Sequence, residues 1–180
     1  MKNNPYLGDS EAALVKSSLI DEDELTDRLN PEEWAGHDLP EKYRSQLPWF
    51  DEILWDSKTH EHKGLKFRVI RMTWGTWNGY VILPKGHIFH GKDMNDKRME
   101  DLTVHGGVTY TDSGGGNWSK EDDWIVGFDT NHMYDFSPDS TVRDFNLFLK
   151  GCVNYKNHEY VFQETKKLID SILFTMKYYS

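Results

Sequence analysis

The sequence predicts an α+β protein: a small antiparallel sheet of about four strands, packed by C-terminal helices and preceded by an acidic helical arm. Two observations predict the sheet. The segment LKFRVIRMTW alternates apolar and charged residues, and a second apolar segment, WNGYVILP, follows it closely. A third observation predicts the helices, because apolar residues recur at helical spacing near the C-terminus. Strands that are followed by packing helices are typical of the α+β class.

The predicted sheet begins with a hairpin. Leu65, Phe67 and Val69 share one face of the first strand, and the dipeptide Gly75-Thr76 predicts a two-residue type II′ turn before the second strand. A third strand is predicted over residues 103–111 and a fourth over 124–129. The glycine-rich segment between them holds Trp118, and a mobile flap and an ordinary flexible loop both fit it.

The C-terminal segment predicts a long helix with Asn157 as its N-cap. Its apolar stripe consists of Val161, Thr165, Leu168, Ile169, Ile172 and Met176. The preceding segment VRDFNLFLKGCV predicts another helix that ends near Gly151, and its apolar neighbours predict that Cys152 is buried.

Charge and composition exclude several classes of protein. The net charge is −9. Residues 1–60, the predicted acidic arm or cap, hold 14 of the 30 acidic residues but 6 of the 21 basic ones, and residues 61–180 form the predicted α+β core domain. A negative chain without a basic cluster disfavours direct nucleic-acid binding. One cysteine, no apolar run of membrane-spanning length and no signal-peptide pattern predict a cytoplasmic protein that does not contact the membrane. Uncapped edge strands leave an oligomer open.

The segment VHGGVTY places a histidine and two glycines where a strand is expected. If Tyr110 lies opposite Trp124, then His105 lies opposite Asp129. In that register Gly107 faces Gly127, and Thr109 shares the face of His105. We therefore expect an imidazole and a carboxylate side by side above a floor that two glycines clear.

Further candidate site residues follow closely in the sequence. His132 and Asp135 come shortly after Asp129, so with His105 they make a set of two histidines and two carboxylates. Such a set can hold Zn²⁺ or Mn²⁺, or can act without metal, with a histidine as general base and an aspartate that fixes its tautomer. The remaining residues of the predicted ligand pocket are His87, His90, Gly106, Gly107, Thr109 and Trp118.

Four segments carry a resemblance: GYVILPKGHIFHGK, VHGGVTY, WIVGFDTNHMYD and HEYVFQETKKLIDSI. In this order they resemble the motifs of a group of small uncharacterised proteins encoded by bacteriophages and prophages. The match covers roughly residues 77–173, and Thr130-Asn131 stands where the group has Cys-Ala. The resemblance implies a phage or prophage origin and a host-cytoplasm setting, and it implies no activity. The matching positions are Gly86, His87, Gly91, His105, Gly106, Gly107, Asp129, His132 and Asp135.

Three functions stay open at this point. The first is a non-catalytic accessory protein of phage or prophage origin that binds a small polar ligand or a host defence protein, as a counter-defence factor would. The second is a small hydrolase in which His105, Asp129 and His132 bind a divalent metal and activate water against a phosphoester or an amide. In the third, the acidic arm mimics nucleic acid.

Overall fold

The computed structural model describes residues 47–49, 52–53, 55–115, 119–139 and 147–179. The part of the predicted acidic helical arm before residue 47, and Trp118, lie outside the described residues. The described chain forms two compact units. We call residues 55–71, 77–115, 119–130 and 158–179 the sheet unit, and residues 47–49, 52–53, 72–76, 131–139 and 147–157 the aromatic unit.

A five-stranded antiparallel sheet dominates the sheet unit, which confirms the predicted α+β class. The strand order is β1-β2-β3-β5-β4. The strands are β1 (His60–His62), β2 (Leu65–Arg71), β3 (Trp77–Leu83), β4 (Tyr110–Ser113) and β5 (Trp124–Phe128). Leu65, Phe67 and Val69 are buried on one face of β2, as the alternation predicts.

The hairpin between β2 and β3 is confirmed, but its turn differs from the prediction. Arg71 pairs with Trp77, and the Met72 N–H donates to the Thr76 carbonyl at 2.8 Å. Inside this pair the Gly75 N–H donates to the Met72 carbonyl at 2.9 Å, and Gly75 has a φ of +89°. A three-residue loop that ends in a left-handed glycine is a bulged turn. The predicted two-residue type II′ turn is therefore wrong, because the positive φ falls at the end of the loop.

A long helix covers one face of the sheet. Helix α1 (Lys97–Glu100) is a single turn, whereas α2 (His158–Tyr179) runs for 22 residues and packs on β2 and β3. A Cβ atom at Gly79 would lie 2.2 Å from Thr165 Oγ1, so a glycine on β3 lets the helix approach closely. Five of the six residues in the predicted stripe are buried in α2, namely Val161, Thr165, Leu168, Ile169 and Ile172.

Large rings form the core of the aromatic unit. The Trp49 ring lies 5.2 Å from Phe136, 5.5 Å from Phe148 and 5.2 Å from Tyr155, measured between centroids. Phe136 and Tyr155 belong to a two-stranded parallel sheet, β6 (Asp135–Phe136) and β7 (Asn154–Tyr155). Because Phe136 packs in this ring cluster, the cluster also fixes the position of Asp135, the preceding residue of β6.

The predicted helix end at Gly151 is confirmed, but the burial of Cys152 is not. Gly151 has a φ of +70° and donates its N–H to the Phe148 carbonyl, and the Cys152 N–H donates to the Leu147 carbonyl. These two bonds form a Schellman motif, which ends a helix at a left-handed residue. Cys152 comes directly after Gly151, beyond the end of the helix, and is exposed.

In the part of the chain that the structure describes, no helix has both the length and the apolar composition that a membrane span needs.

Candidate functional site

His105 lies in a tight turn, not in a strand. The Gly107 N–H donates to the Val104 carbonyl at 3.1 Å, and Gly106 and Gly107 have φ values of +67° and +87°. Glycine adopts these left-handed conformations without the steric cost that a Cβ atom brings. The two glycines are thus explained by a turn that carries His105 at its corner.

This turn makes the predicted register wrong. Because consecutive left-handed residues cannot continue an extended strand, β4 starts only at Tyr110, and Tyr110 pairs with Gly127 instead of Trp124. The predicted opposition of His105 and Asp129 depended on that register and is wrong as a strand pair. Thr109 does lie beside Asp129, since its Oγ1 accepts the Asp129 N–H at 3.1 Å.

Helix α2 holds the His105 turn in place. His105 Nδ1 is 3.0 Å from the Tyr160 hydroxyl, and the two rings meet edge to face. The His105 N–H also donates to Glu164 Oε2 at 3.2 Å, and the other oxygen of this buried carboxylate accepts a hydrogen bond from Lys167. Backbone and ring are both fixed, so the imidazole has a defined orientation before any ligand arrives.

The predicted glycine floor is filled at Gly127, although a Cβ atom at Gly107 would meet open space. A Cβ atom at Gly127 would lie 2.6 Å from Tyr80 Cδ1, so the space above the glycine holds the Tyr80 ring. Tyr110 meets this ring edge to face at 5.5 Å. The space that Gly127 leaves thus brings two tyrosines together and is not an open pocket beside His105.

The aromatic unit brings two predicted site residues together. His132 Nδ1 lies 3.2 Å from Asp135 Oδ2, and the His132 N–H donates to the same oxygen at 3.1 Å. The Asp135 side chain is only 3% exposed, the His132 side chain is 34% exposed, and Lys156 Nζ is 3.6 Å from Asp135 Oδ1. A carboxylate can only accept here, so in the neutral ring the proton lies on Nδ1 and the lone pair on Nε2. Such an imidazole can accept a hydrogen bond, take a proton or bind a metal.

The turn that links this pair carries exposed apolar surface. Met133 and Tyr134 lie between His132 and Asp135 and are 82% and 69% exposed. The Asp135 N–H donates to the His132 carbonyl at 2.9 Å, which closes the turn. We call residues 132–135 the histidine turn. It presents an oriented imidazole beside two large side chains that contribute little to the core.

His87 and His90 have other roles in the structure. His87 Nδ1 accepts the Phe89 N–H at 3.3 Å, and His90 Nε2 donates to the Asp122 carbonyl at 2.8 Å. Burial, and secondarily the charge of His90, lower the pKa of His87. Both rings are hydrogen-bonded to backbone groups, so the structure adds no support for them as ligand-binding residues.

One cluster has no counterpart in the sequence analysis. Asp56 Oδ2 accepts hydrogen bonds from His60 Nε2 at 2.7 Å and from His158 Nε2 at 3.0 Å, while Asp56 Oδ1 accepts the Lys58 N–H at 2.9 Å. The His158 ring also meets Trp77 edge to face at 4.8 Å. His60 belongs to β1 and His158 opens α2, so the carboxylate joins a strand to a helix. The four-residue spacing of Asp56 and His60 was the available signal, and His158 lies too far along the chain to be linked by spacing.

The charge of this carboxylate is stabilised. Burial acts to raise the pKa of Asp56, but the Lys58 N–H and the two imidazoles outweigh it and hold the pKa below its usual value of 3.8. Asp56 is therefore ionised at neutral pH and gives the two histidines a fixed acceptor.

Comparisons of the chain with models of protein families, with curated proteins and with solved structures find no match.

Proposed function

We propose that the protein binds a small polar ligand through the histidine turn, without turning it over. The observation that carries the proposal is the pair of His132 and the buried Asp135 carboxylate at 3.2 Å. The carboxylate fixes the tautomer in which Nε2 is the acceptor, so the turn selects ligands that bring an N–H or O–H donor.

The surroundings of the pair favour recognition. Met133 and Tyr134 are highly exposed, and exposed apolar side chains beside a few oriented polar groups are typical of binding surfaces. Lys156 compensates the charge of Asp135, so the carboxylate stays buried while its partner imidazole faces outward in part.

We further propose that the protein acts as an accessory factor of a phage or prophage, in the cytoplasm of the host, where sequestering a ligand or occupying a host defence protein would counter a defence. This setting rests on the four motifs in order, which include WIVGFDTNHMYD with His132 and Asp135.

One observation favours a second function, a metal-dependent hydrolase. Histidines that bind metals usually donate their other ring N–H to a carboxylate, and the His132–Asp135 pair has this arrangement. Zn²⁺ or Mn²⁺ on Nε2 would supply an activated water for a phosphoester or an amide.

A thermal-shift screen tests the two functions together. Metabolites with N–H or O–H donors, and separately Zn²⁺ and Mn²⁺, are added to the wild-type protein, to His132→Ala and to His90→Ala. A ligand of the native state raises the Tm. We expect a metabolite to raise the Tm of the wild type and of His90→Ala, the control histidine, but not of His132→Ala. A shift caused by metal alone supports the second function, and equal shifts in all three proteins contradict both.

A further inference from the structure

A cavity lies at the end of the sheet where β2 starts and β3 ends. Its volume is about 160 Å³, and its lining includes Leu65, Lys66, Ile82, Pro84, Lys120 and Asp123. We call this space the lysine cavity. All of these residues belong to the sheet unit, and none belongs to the histidine turn, so a ligand in the lysine cavity is independent of the function proposed above.

The volume limits the size of a ligand. About five water molecules would fill the cavity, at about 30 Å³ for each molecule. Pockets for drug-sized molecules are larger, at about 300–1,000 Å³. The lysine cavity therefore suits a small metabolite with one charged group and a short body.

Two lysines of the cavity have no acidic partner. Among the residues that the structure describes, neither the Lys66 nor the Lys120 ammonium group forms a hydrogen bond or an ion pair, and both residues are exposed. This holds for Lys66 although Glu61 lies opposite it in the register of β1 and β2. The neighbouring Lys85, by contrast, pairs with Asp122 at 3.1 Å. In a chain of net charge −9, the cavity thus brings together two cations that can meet an anion.

The backbone of both lysines is held in place. The Lys120 N–H donates to Asp123 Oδ2 at 2.7 Å, and the Asp123 N–H donates to the Lys120 carbonyl at 3.0 Å. The Gly114 N–H donates to the Asp123 carbonyl at 2.7 Å, which joins this turn to the end of β4. Lys66 is fixed by its strand pairing with Ile82. Only the two side chains remain to be ordered when a ligand binds, which keeps the cost of binding low.

The charges of the lining favour a ligand with a single negative charge. Asp123 contributes one negative charge against the two positive charges of Lys66 and Lys120, which leaves one positive charge. A carboxylate carries one negative charge at neutral pH, whereas a phosphate monoester carries about 1.5–2. A monocarboxylate therefore matches the lining better than a phosphate does.

Apolar surface lies beside the two cations. Ile82 is the direct partner of Lys66 across β2 and β3, so the two side chains share a face of the sheet. Pro84 follows the end of β3 and is exposed. Ile82 and Pro84 give a ligand an apolar wall, against which its uncharged part can pack.

We propose that the lysine cavity is a second binding site, specific for a small organic monocarboxylate with an apolar body. The carboxylate accepts hydrogen bonds from the Lys66 and Lys120 ammonium groups, and the body packs on Ile82 and Pro84. Hydrogen bonds between ionised partners are about twice as strong as those between neutral ones, so the charged end orients the ligand.

A titration followed by NMR tests this site, with benzoate as the probe. We expect saturable shifts of the backbone amide signals of Lys66 and Asp123. Benzamide has the same ring without the charge, and acetate has the charge without the ring, so each should bind about tenfold more weakly or worse. No saturable shift with benzoate at millimolar concentration would overturn the proposal. Inorganic phosphate that binds as tightly as benzoate would also overturn it, because the cavity would then recognise charge alone.

Three variants locate the binding. Lys66→Gln and Lys120→Gln each remove one ammonium group at an exposed position, so both variants should fold. Each should weaken benzoate binding about tenfold or more, because the carboxylate loses a charged donor. Lys177→Gln makes the same change in net charge at an exposed lysine of α2 and should bind benzoate as the wild type does. Wild-type affinity in Lys66→Gln and Lys120→Gln, or equal weakening in Lys177→Gln, would contradict the site.

Discussion

A single buried carboxylate sets the chemistry of the histidine turn. Asp135 Oδ2 accepts hydrogen bonds from both the ring and the backbone N–H of His132. The other carboxylate oxygen, Oδ1, lies near Lys156 Nζ. Any ligand that depends on the His132 tautomer therefore depends on Asp135 as well.

The Asp135→Asn variant tests this dependence. An amide can present its N–H₂ group to His132 Nδ1, which reverses the tautomer, and it loses the charge beside Lys156. We expect weaker ligand binding and a free energy of unfolding lowered by about 1–3 kcal/mol in urea denaturation. Glu159→Gln changes an exposed carboxylate of α2 and should stay within about 0.5 kcal/mol of the wild type. Wild-type stability and binding in Asp135→Asn would show that the carboxylate does not orient the ring.

The lowered pKa of Asp56 predicts that this residue stabilises the folded protein by an amount that depends on pH. Its pKa in the folded protein lies below the usual 3.8, so folding favours the ionised form. The stabilisation is therefore fully present above the unfolded value and is lost as the pH falls through the folded pKa. The difference in the free energy of unfolding between the wild type and Asp56→Asn, measured in urea, should therefore be larger at about pH 5 than at pH values below about 3.8. A difference that does not vary with pH would mean that the charge of Asp56 contributes nothing.

Single residues were predictable where their partners are close in sequence. His132 and Asp135 are three residues apart, so their proximity in the sequence predicts the contact that the structure shows. Asp56 and His158 are 102 residues apart, and no periodicity links them, so their cluster emerges only once the chain has folded.

At the scale of elements, the contact between β3 and α2 depends on the missing side chain of Gly79. An added Cβ would lie 2.2 Å from Thr165 Oγ1 and 2.4 Å from Phe128 Cε1, and both of these groups are held in the packed core. We therefore expect Gly79→Ala to lower the free energy of unfolding by about 3 kcal/mol or more, as overpacking does at its upper end.

Gly86→Ala is the matched control. Gly86 has a φ of +89° but open space around an added Cβ, so only backbone strain opposes the substitution. We expect a loss of about 1 kcal/mol, measured by the same urea denaturation. A Gly79→Ala variant no less stable than Gly86→Ala would contradict the close packing of α2 on the sheet.

Element types were predicted better than their pairing. The alternation in β2 and the stripe in α2 follow from burial on one side, so the sequence shows them directly. The register of β4 failed because Gly106 and Gly107 start a turn, and a glycine in a sequence does not reveal the sign of its φ. Gly75 was misplaced for a different reason, because a positive φ fits both the first position of a type II′ turn and the end of a three-residue loop.

At the scale of the whole molecule, residues distant in sequence build the core of the aromatic unit. Trp49 is fully buried against Phe136, Phe148 and Tyr155, although it lies within the first sixty residues. The predicted boundary between an arm and a core domain at residue 60 stays a prediction. A truncated variant that tests the function of the acidic arm should nevertheless retain all residues from Leu47 on. A larger deletion would remove Leu47, which is buried in the core.

Two tryptophans provide a matched test of this core. We expect Trp49→Ala to lower the free energy of unfolding by about 3–5 kcal/mol, the usual cost of removing a buried large ring. Trp55 is 71% exposed, so Trp55→Ala should change it by about 0.5 kcal/mol or less. Equal effects of the two substitutions in denaturant unfolding would contradict the aromatic core.

Native mass spectrometry of gently purified protein tests ligand binding by the histidine turn most directly. The same sample is then measured under denaturing conditions, beside His132→Ala and the control His90→Ala. We predict an excess mass the size of a small molecule on the wild type and on His90→Ala, lost on denaturation and absent from His132→Ala. A bare chain mass for the wild type, or an excess that persists in His132→Ala, would contradict binding at this turn.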